Sequence, residues 1–329
     1  MKAAVLRGVR DLVIADVLEP LEVPRGYVKV AVKAVGICGS DVHYYKEGAI
    51  GSFVLRQPMI LGHEVGGVVV EAGEDTHIPV GSVVALEPGV PCGACQQCRT
   101  GHYNLCQDVQ FFATPPVDGA MTKYVLHPAA YTFVADGLTP VEASLAEPLS
   151  VGIYAARKAD IHIGQQVAVL GAGPVGLLTA LAATAEGADV SVFDVQRGRV
   201  DAAVTMGLRA EVFSGERVAA YDSVIDCTGN HKALEWGQRT VQPGGKLILV
   251  GMGSREAMMI DGLALSIRGV SVHGIFRYTN TFPAAIALIR RYKEQLSIFT
   301  KQQISLEQLP TYLEHDEQAN YLKTIVRLD

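Results

Sequence analysis

A glycine-rich turn between two apolar segments constrains the fold of this chain more than any other feature. Residues 167–170 are apolar, and the turn after them reads Gly171-Ala172-Gly173-Pro174-Val175-Gly176. Small and apolar residues follow, and a second apolar segment, 190–193, ends at Asp194. The order strand, glycine turn, helix, strand and acid is typical of a parallel βαβ unit that holds a dinucleotide.

Each residue of the turn has a physical task in this interpretation. Gly171 permits the tight turn, Gly173 lets a pyrophosphate approach the backbone, and Gly176 lets the helix pack close to the strand. Pro174 and Val175 begin the helix, and its free backbone N–H groups, from Val175 onwards, face the phosphates with the help of the helix dipole. The alternative is a glycine turn that binds nothing, but it leaves the acid at the strand end unexplained.

The acid at the second strand end indicates which dinucleotide is bound. The Asp194 carboxylate can accept hydrogen bonds from ribose hydroxyls and would repel the additional phosphate of NADP. Arg197 and Arg199 follow closely and weaken this preference without reversing it. The pattern therefore predicts NAD, with NADP as the less favoured cofactor.

Strand and helix patterns alternate over residues 151–280 and predict a doubly wound parallel sheet. Its ligand is expected across the carboxyl ends of the strands, which adds Thr228 and Gly251 to the cofactor-binding candidates. Cys227 precedes Thr228 at the end of its strand, where we expect a core position beside the cofactor site.

Composition bounds the class of protein. The 329 residues suffice for two domains, and 49% hydrophobic residues can form a sizeable core. A net charge of −6 argues against nucleic acid as a partner, and no apolar run reaches the length of a membrane span. The N-terminus does not resemble a secretory signal. We therefore expect a cytoplasmic protein with a small-molecule substrate.

Four of the six cysteines lie within fifteen positions: Cys92, Cys95, Cys98 and Cys106. In a reducing compartment this spacing indicates a metal site, because four thiolates can surround one zinc ion tetrahedrally. Such a site has no free position for a substrate, so we interpret it as structural. A disulfide pair and an iron–sulfur cluster are the alternatives.

A second candidate metal site combines different residue types. Cys38 lies between two glycines, and His63 and Glu64 are adjacent polar residues between apolar runs. A lone histidine in such surroundings is more often a core residue, but thiolate, imidazole and carboxylate together suit a catalytic zinc. Glu147 lies among apolar residues and needs a partner if it is buried, or it is an ordinary charge at a helix start.

The first and last segments are predicted to be mainly β structure. Residues 28–35 alternate apolar and polar, which predicts a half-buried strand. The final segment, 305–329, predicts a short helix and a strand that returns to the first domain. The predicted domains are thus 1–150 with 281–329, and 151–280.

Together these motifs resemble the zinc-containing medium-chain alcohol dehydrogenases, most closely the polyol (sorbitol or xylitol) dehydrogenase branch. The resemblance covers nearly the whole chain and is carried by these segments: Gly36-Ile-Cys-Gly-Ser-Asp-Val-His-Tyr44, Gly62-His-Glu64, Pro91-Cys-Gly-Ala-Cys-Gln-Gln-Cys98, Tyr103-Asn-Leu-Cys106, Ala113-Thr-Pro-Pro116, Glu147-Pro-Leu-Ser-Val-Gly152, Gly171-Ala-Gly-Pro-Val-Gly176 and Phe276-Arg-Tyr-Thr-Asn-Thr281.

The resemblance implies a Rossmann nucleotide domain, a mainly β, GroES-like catalytic domain and the oxidation of a polyol hydroxyl with hydride transfer to NAD. It implies that Cys38, His63, Glu64 and Glu147 surround a catalytic zinc, with Glu64 and Glu147 as rivals for one position. Other implied roles are a proton path (Ser40 and His43), a substrate pocket (Tyr44, Phe112, Arg277 and Tyr278), and cofactor contacts from Arg199 and Arg277.

The sequence departs from this family between Met206 and Tyr221, where it is shorter than its relatives. Other readings are a butanediol or threonine type of dehydrogenase, or a non-catalytic protein that binds NAD and zinc as a redox sensor. A zinc-free quinone reductase would lack the set of Cys38, His63 and Glu64. The resemblance also implies a homodimer or homotetramer.

Overall fold

The computed structural model describes residues 1–215, 220–253 and 258–328. The chain divides into two compact units: Met1–Glu147 together with Phe282–Asp329, and Pro148–Thr281. No helix in the described residues has the length and apolar character needed to cross a membrane.

The N-terminal part of the first unit is built mainly from strands. They are β1 (Lys2–Gly8), β2 (Asp11–Asp16), β3 (Tyr27–Gly36), β4 (Ala49–Ile50), β5 (Phe53–Val54), β6 (Met59–Ile60), β7 (Glu64–Ala72), β8 (Val83–Leu86), β9 (Gly89–Val90), β10 (Gln110–Phe111), β11 (Tyr124–Pro128) and β12 (Thr132–Val134). Its helices are α1 (Gly39–Glu47), α2 (Gln96–Arg99) and α3 (Pro140–Ala143), with 3₁₀ turns at Tyr103–Leu105 and Ala129–Tyr131.

Helix α4 (Ala146–Ala159) begins in the first unit and continues into the second. The other elements of the second unit are β13 (Gln166–Leu170), α5 (Pro174–Ala185), β14 (Asp189–Asp194), α6 (Arg197–Thr205), β15 (Arg209–Val212), β16 (Tyr221–Asp226), α7 (His231–Thr240), β17 (Val241–Leu249), α8 (Gly262–Ile267) and β18 (Ser271–Gly274).

The remaining chain returns to the first unit. It forms α9 (Phe282–Arg291), α10 (Lys293–Leu296), β19 (Gln302–Ser305), α11 (Leu309–Glu314) and β20 (Thr324–Arg327), with 3₁₀ turns at Ser297–Phe299, Leu306–Gln308 and Glu317–Asn320.

A mixed sheet organises the first unit. Its strand order is β12-β8-β7-β3-β20-β19, and β11 also pairs with β3. Strand β20 pairs antiparallel with β3, so the final segment does join the N-terminal strands as expected. The core beside this sheet contains fully buried side chains such as Leu6, Met59, Leu61, Leu86 and Met121.

The prediction that residues 28–35 form a half-buried strand is wrong in one respect. Strand β3 is buried along almost its whole length, because β7, β11 and β20 all pair with it. Even Lys29 is 9% exposed, and its Nζ reaches Oε1 of Glu19 at 2.7 Å. A strand in the middle of a sheet can therefore alternate apolar and polar residues and still be buried, because an ion pair compensates the buried charge of Lys29.

The second unit contains the predicted parallel sheet. Its strand order is β15-β14-β13-β16-β17-β18, and every neighbouring pair is parallel. The order reverses between β13 and β16, which is the position where a doubly wound sheet binds its ligand. Strand β15 occupies part of the segment identified as shortened, and it was not predicted. Residues 216–219 of that segment lie outside the described residues.

Candidate functional site

Three predicted zinc ligands lie together in the first unit. The ligand atoms of Cys38, His63 and Glu64 are all within 4.8 Å of one another. Pairing of β3 with β7 brings them together, because Gly36 at the end of β3 lies opposite Glu64 at the start of β7. Cys38 follows β3 and is the N-terminal cap of α1.

A buried carboxylate joins the two segments that supply these ligands. Asp41 accepts hydrogen bonds from the backbone N–H of Cys38 at 2.9 Å and from that of Gly62 at 3.0 Å. Burial raises the pKa of Asp41, while the positive charge of His63 opposes the rise. The two backbone bonds fix the spacing between the thiol and the imidazole.

The charges around His63 are predominantly negative. Burial lowers the pKa of His63, but the charge of Cys38 and its hydrogen bond, together with the charges of Asp41 and Glu147, raise it to about 10. Glu147 is buried and lies close enough to influence His63, although it is not part of the 4.8 Å cluster. The ring of Phe111 lies 5.8 Å from that of His63.

Sequence reasoning missed a buried cation at this site. Lys323 donates a hydrogen bond to Oε1 of Glu64, and the two side chains are 4% and 1% exposed. Burial lowers the pKa of Lys323, but the charges of Glu64, Cys38 and Glu147 raise it above its ordinary value. The only signal in the sequence was a lysine before the last predicted strand.

The residues present fit a zinc ion. Thiolate, imidazole and carboxylate are ordinary zinc ligands, and three of them leave one position for a substrate. Oε2 of Glu64 is buried, and the ammonium group of Lys323 lies in ion-pair contact with it. A metal ion beside Cys38, His63 and Glu64 would balance the excess negative charge.

The candidate residues for proton transfer lie on α1. Ser40 is half-buried in its first turn, and His43 is exposed, with Nδ1 3.5 Å from Oε1 of Glu47. Tyr44, predicted to line the substrate pocket, is 2% exposed. Phe112, the other candidate from this unit, has its ring 5.1 Å from that of His127.

The four clustered cysteines form a second group of ligand atoms within 4.8 Å of one another. All six cysteines of the chain are free, so no disulfide competes with a metal here. The backbone N–H groups of Ala94 and Cys95 lower the pKa of the Cys92 thiol to about 7. Burial raises the pKa of the Cys98 and Cys106 thiols, so a bound zinc ion would stabilise their thiolate forms.

A further buried carboxylate, not predicted, lies beside this cysteine lobe. Glu87 follows β8 and accepts a hydrogen bond from the hydroxyl of Tyr103 at 2.7 Å. Burial raises the pKa of Glu87 to about 7, the Tyr103 hydrogen bond opposes the rise, and the charge of Glu147 adds to it. Its backbone oxygen also lies 2.9 Å from Nε2 of His127.

The glycine turn of the second unit has the geometry that the motif predicts. Gly171 has φ 96°, and a side chain at Gly176 would collide with the carbonyl oxygen of Gly171. Gly173 precedes α5, and a Cβ there would meet open space. Pro174 and Val175 form the first turn of α5, so the helix start faces a region with room for phosphates.

Asp194 lies at the end of β14 and is 6% exposed. Its Oδ2 accepts a hydrogen bond from the N–H of Ala172 at 2.8 Å, inside the glycine turn. Its Oδ1 accepts one from Gln196 at 2.8 Å, and Nη1 of Arg199 lies 3.7 Å from Oδ2. Asp194 therefore also organises the turn, a task that the ribose hypothesis did not include.

The ends of β16 and β17 complete this edge of the sheet. Strand β16 ends at Asp226, so Cys227 and Thr228 lie directly after it, and burial raises the pKa of the Cys227 thiol to about 12. A side chain at Gly251 would collide with the backbone nitrogen of Gly229. Both loops thus approach closely at the predicted cofactor edge.

The remaining candidates follow β18. Arg277 has φ 56°, and its guanidinium carbon lies 4.7 Å from the ring centre of Phe276. Tyr278 is 3% exposed. Their predicted contacts with substrate and cofactor remain predictions.

Comparison with known proteins identifies the class. Residues 24–136 match the alcohol dehydrogenase GroES-like domain, and residues 174–291 match the zinc-binding dehydrogenase family. The solved structure of 2R,3R-butanediol dehydrogenase from Bacillus subtilis superposes with a TM-score of 0.89 at 27% identity, covering 100% of this chain and 99% of that one. The predicted combination of a Rossmann domain and a GroES-like domain is confirmed.

The chain belongs to the zinc-containing medium-chain alcohol dehydrogenases. Sorbitol dehydrogenase from Bacillus subtilis is 39% identical over 95% of this chain and 93% of its own length. L-idonate 5-dehydrogenase from Vitis vinifera is 38% identical over 88% and 84%. Within the family the chain belongs to the polyol branch, and it is an enzyme that depends on zinc and NAD.

Proposed function

We propose that this enzyme oxidises a secondary hydroxyl of a polyol such as sorbitol or xylitol to the ketose, with NAD as the hydride acceptor. The cluster of Cys38, His63 and Glu64 within 4.8 Å is the observation that carries the proposal. The similarity to sorbitol dehydrogenase supports the substrate class. The first unit then supplies the catalytic zinc and the second unit binds NAD.

The chemistry divides between the cofactors and the protein. Bound zinc supplies a Lewis acid that lowers the pKa of an alcohol, and NAD accepts the hydride. Ser40, two residues after Cys38, relays the hydroxyl proton by accepting it while donating its own proton towards His43 on the same face of α1, and His43 releases a proton to solvent. Tyr44 and Phe112 of the first unit line the substrate pocket.

Binding of NAD relies on the glycine turn and the neighbouring strand ends. Backbone N–H groups at Gly173 and the start of α5 hold the pyrophosphate, and the carboxylate of Asp194 accepts hydrogen bonds from the ribose hydroxyls. Arg199, Thr228 and Gly251 line the same edge. Arg277 donates to the cofactor or to a substrate hydroxyl.

Metal analysis and turnover test this proposal together. We expect two zinc ions per chain and NADH formation with sorbitol, xylitol or a related polyol. Metal without turnover on any polyol or on butanediol would favour the non-catalytic NAD- and zinc-binding reading.

Replacement of one ligand tests the catalytic assignment. We expect Cys38→Ser to lower kcat at least about a hundredfold, because the thiolate holds the metal. NAD affinity should change little, since the glycine turn is untouched. Turnover close to that of the unmodified enzyme would remove Cys38 from the catalytic site.

The enzyme is also proposed to form a homodimer or homotetramer through the edge of the parallel sheet. Strand β18 is the last strand of that sheet, and Val272 on it is 38% exposed. Leu263 and Ile267 on the preceding helix α8 are 73% and 77% exposed. Two copies can pair this edge about a two-fold axis. The mass in solution tests it, and a monomer would contradict it.

A cytoplasmic location is part of the same proposal, because a four-thiolate zinc site needs a reducing compartment. Fractionation of cells that express the protein checks this expectation.

A further inference from the structure

A buried aspartate holds the loop that follows β16 at the candidate cofactor edge. Asp226 is the last residue of β16 and is 1% exposed. Its Oδ1 accepts two hydrogen bonds from Thr228, one from the backbone N–H at 2.8 Å and one from the hydroxyl at 2.6 Å. Burial raises the pKa of Asp226, and these hydrogen bonds oppose the rise. The carboxylate therefore fixes both the backbone and the side chain of Thr228.

Thr228 lies directly against the glycine turn of the second unit. A Cβ at Gly171 would lie 2.8 Å from the Cγ2 methyl group of Thr228 and 3.6 Å from its backbone nitrogen. With its methyl group against the glycine turn and its hydroxyl on Asp226, the side chain is held in one orientation. Thr228 is nevertheless exposed, so its side chain is accessible at the edge of the sheet where we place the dinucleotide.

The hydrogen bonds of Thr228 define the direction in which its hydroxyl can act. A hydroxyl group has one proton to donate and two lone pairs that accept. The proton goes to Asp226, and one lone pair accepts the backbone N–H of Asn230 at 3.0 Å. Among the residues that the structure describes, these contacts leave one lone pair for a ligand. The hydroxyl therefore faces a ligand as an acceptor and not as a donor.

We propose that Asp226 is a positioning residue for NAD, which orients Thr228 so that its hydroxyl accepts a hydrogen bond from the cofactor. This inference rests on the NAD site of the proposed function. The groups of NAD that can donate are the ribose hydroxyls, the adenine amino group and the carboxamide N–H groups, whereas the pyrophosphate oxygens accept. Thr228 thus recognises a donor group of NAD, and the pyrophosphate remains with the backbone N–H groups of the glycine turn.

The backbone of Asp226 makes a second link, to the end of β17. Its carbonyl oxygen accepts the N–H groups of Val250 and Gly251 at 2.8 and 2.9 Å. Because these bonds use main-chain atoms, a substitution at position 226 leaves them in place. The loop at Gly251 should consequently keep its position in the variants, and their effects can be assigned to the carboxylate.

Two substitutions of Asp226 separate its acceptor oxygen from its charge. Asp226→Asn loses the charge but keeps an oxygen, which the N–H of Thr228 holds in place, whereas Asp226→Leu has the same branched shape and no acceptor. We expect the Kd for NAD of the zinc-loaded enzyme, measured by calorimetry, to be about fivefold to tenfold higher in Asp226→Leu than in Asp226→Asn, because one hydrogen bond to the cofactor is lost. An equal or lower Kd in Asp226→Leu would overturn the proposal.

A double-mutant cycle shows whether Asp226 acts through the hydroxyl of Thr228. Thr228→Val replaces the hydroxyl by a methyl group and should raise the Kd for NAD by a similar factor, whereas Thr228→Ser keeps the hydroxyl and should change it less than about twofold. In the Thr228→Val background, Asp226→Leu and Asp226→Asn should have the same Kd. A difference as large as that with the hydroxyl present would mean that the aspartate only supports the loop, and would overturn the proposal.

The Thr228 variants keep the test decisive if Asp226→Leu does not fold, because an unchanged Kd in Thr228→Val would overturn the proposal by itself. Asp222, near the opposite end of β16, is the matched control, since its Oδ2 also accepts a backbone N–H, from Gln166 at 2.7 Å. Asp222→Leu should leave the Kd for NAD unchanged. A rise equal to that in Asp226→Leu would mean that loss of any aspartate from this strand explains the effect.

Cofactor analogues identify the donor group. ADP-ribose lacks the carboxamide, and nicotinamide hypoxanthine dinucleotide lacks the amino group of adenine. The analogue without the donor should bind equally well to the unmodified enzyme and to Thr228→Val, and equal weakening of both analogues and NAD would assign a ribose hydroxyl. If the unmodified enzyme bound no NAD, the proposed function itself would fail, which distinguishes the two proposals.

Discussion

At the scale of single residues, the first unit contains more buried carboxyl groups than the candidate zinc site alone requires. Asp41, Glu64, Glu87 and Glu147 are all buried, yet they have different partners. Asp41 accepts two backbone hydrogen bonds, and Glu64 pairs with Lys323. Glu87 accepts a hydrogen bond from the hydroxyl of Tyr103, and its pKa of about 7 places its ionisation near neutral pH.

Glu87 should therefore make stability depend on pH. The pKa of Glu87 is about 7 in the folded chain and 4.5 ordinarily. The contribution of Glu87 to the free energy of unfolding is therefore fully present below pH 4.5 and is lost as the pH rises through 7. Glu87→Gln cannot ionise. Between pH 5 and pH 8, we expect the free energy of unfolding to fall by about 2–3 kcal/mol more in the unmodified enzyme than in Glu87→Gln.

Denaturant unfolding at the two pH values measures this difference in the zinc-loaded enzyme. Tyr103→Phe is the companion variant. It removes a hydrogen bond that lowers the pKa of Glu87, so the loss of stability should move to higher pH. Equal pH dependence in Glu87→Gln and the unmodified enzyme would contradict the assignment.

At the scale of elements, each candidate site lies where secondary-structure elements end. The catalytic cluster lies at the end of β3, the start of α1 and the start of β7. The dinucleotide candidates lie where β13, β14, β16 and β17 end. Strand ends provide backbone groups and side chains that a regular ladder does not use, and the rigid sheet behind them keeps their spacing.

The end of β14 supplies a prediction at this scale. Asp194→Ala removes the acceptor for the N–H of Ala172 and the proposed ribose contact, so we expect the Kd for NAD to rise roughly tenfold to a hundredfold. The Kd for NADP should rise less, because repulsion of its phosphate is also removed. Titration of both cofactors gives the ratio.

Asp189 at the opposite end of β14 is the matched control, since it is exposed and pairs with Arg209 at 3.0 Å. Asp189→Ala should leave both Kd values unchanged. If the ratio of the Kd for NADP to the Kd for NAD were the same in Asp194→Ala as in the unmodified enzyme, Asp194 would not be a ligand of the ribose.

At the scale of the whole molecule, the two candidate zinc sites of one unit are proposed to have separate tasks. The catalytic cluster is built from segments far apart in the sequence, whereas the four cysteines lie within one short lobe. That lobe contains only α2, a 3₁₀ turn and loops, so a metal would replace the hydrophobic core that it lacks.

Cys95→Ser should consequently lower the stability of the folded chain more than it lowers the rate of the chemical step. We expect the loss of about one zinc per chain and a melting temperature at least about 5 °C lower, because metal binding at such a site is folding free energy. Calorimetry and elemental analysis test this. Gln97→Ala on α2 is the control, since its side chain is exposed. An unaltered melting temperature in Cys95→Ser would contradict a structural metal.

The sequence alone determined the features that depend on local spacing. The glycines at 171, 173 and 176, the acid at 194 and the four closely spaced cysteines each follow a local spacing, so the parallel sheet and the clustering of the four cysteines were predictable. The burial of β3 was not, because alternation in a strand does not reveal how many strands pair with it.

Only the tertiary structure decided which distant side chains complete the sites. Pairing of β20 with β3 brings Lys323 to Glu64 across 259 residues, and Gly36 leaves the space they occupy. Likewise, Tyr103 reaches Glu87 only because the chain folds back beside β8. Such contacts depend on long-range strand pairing and on desolvation, which no local pattern of residues encodes.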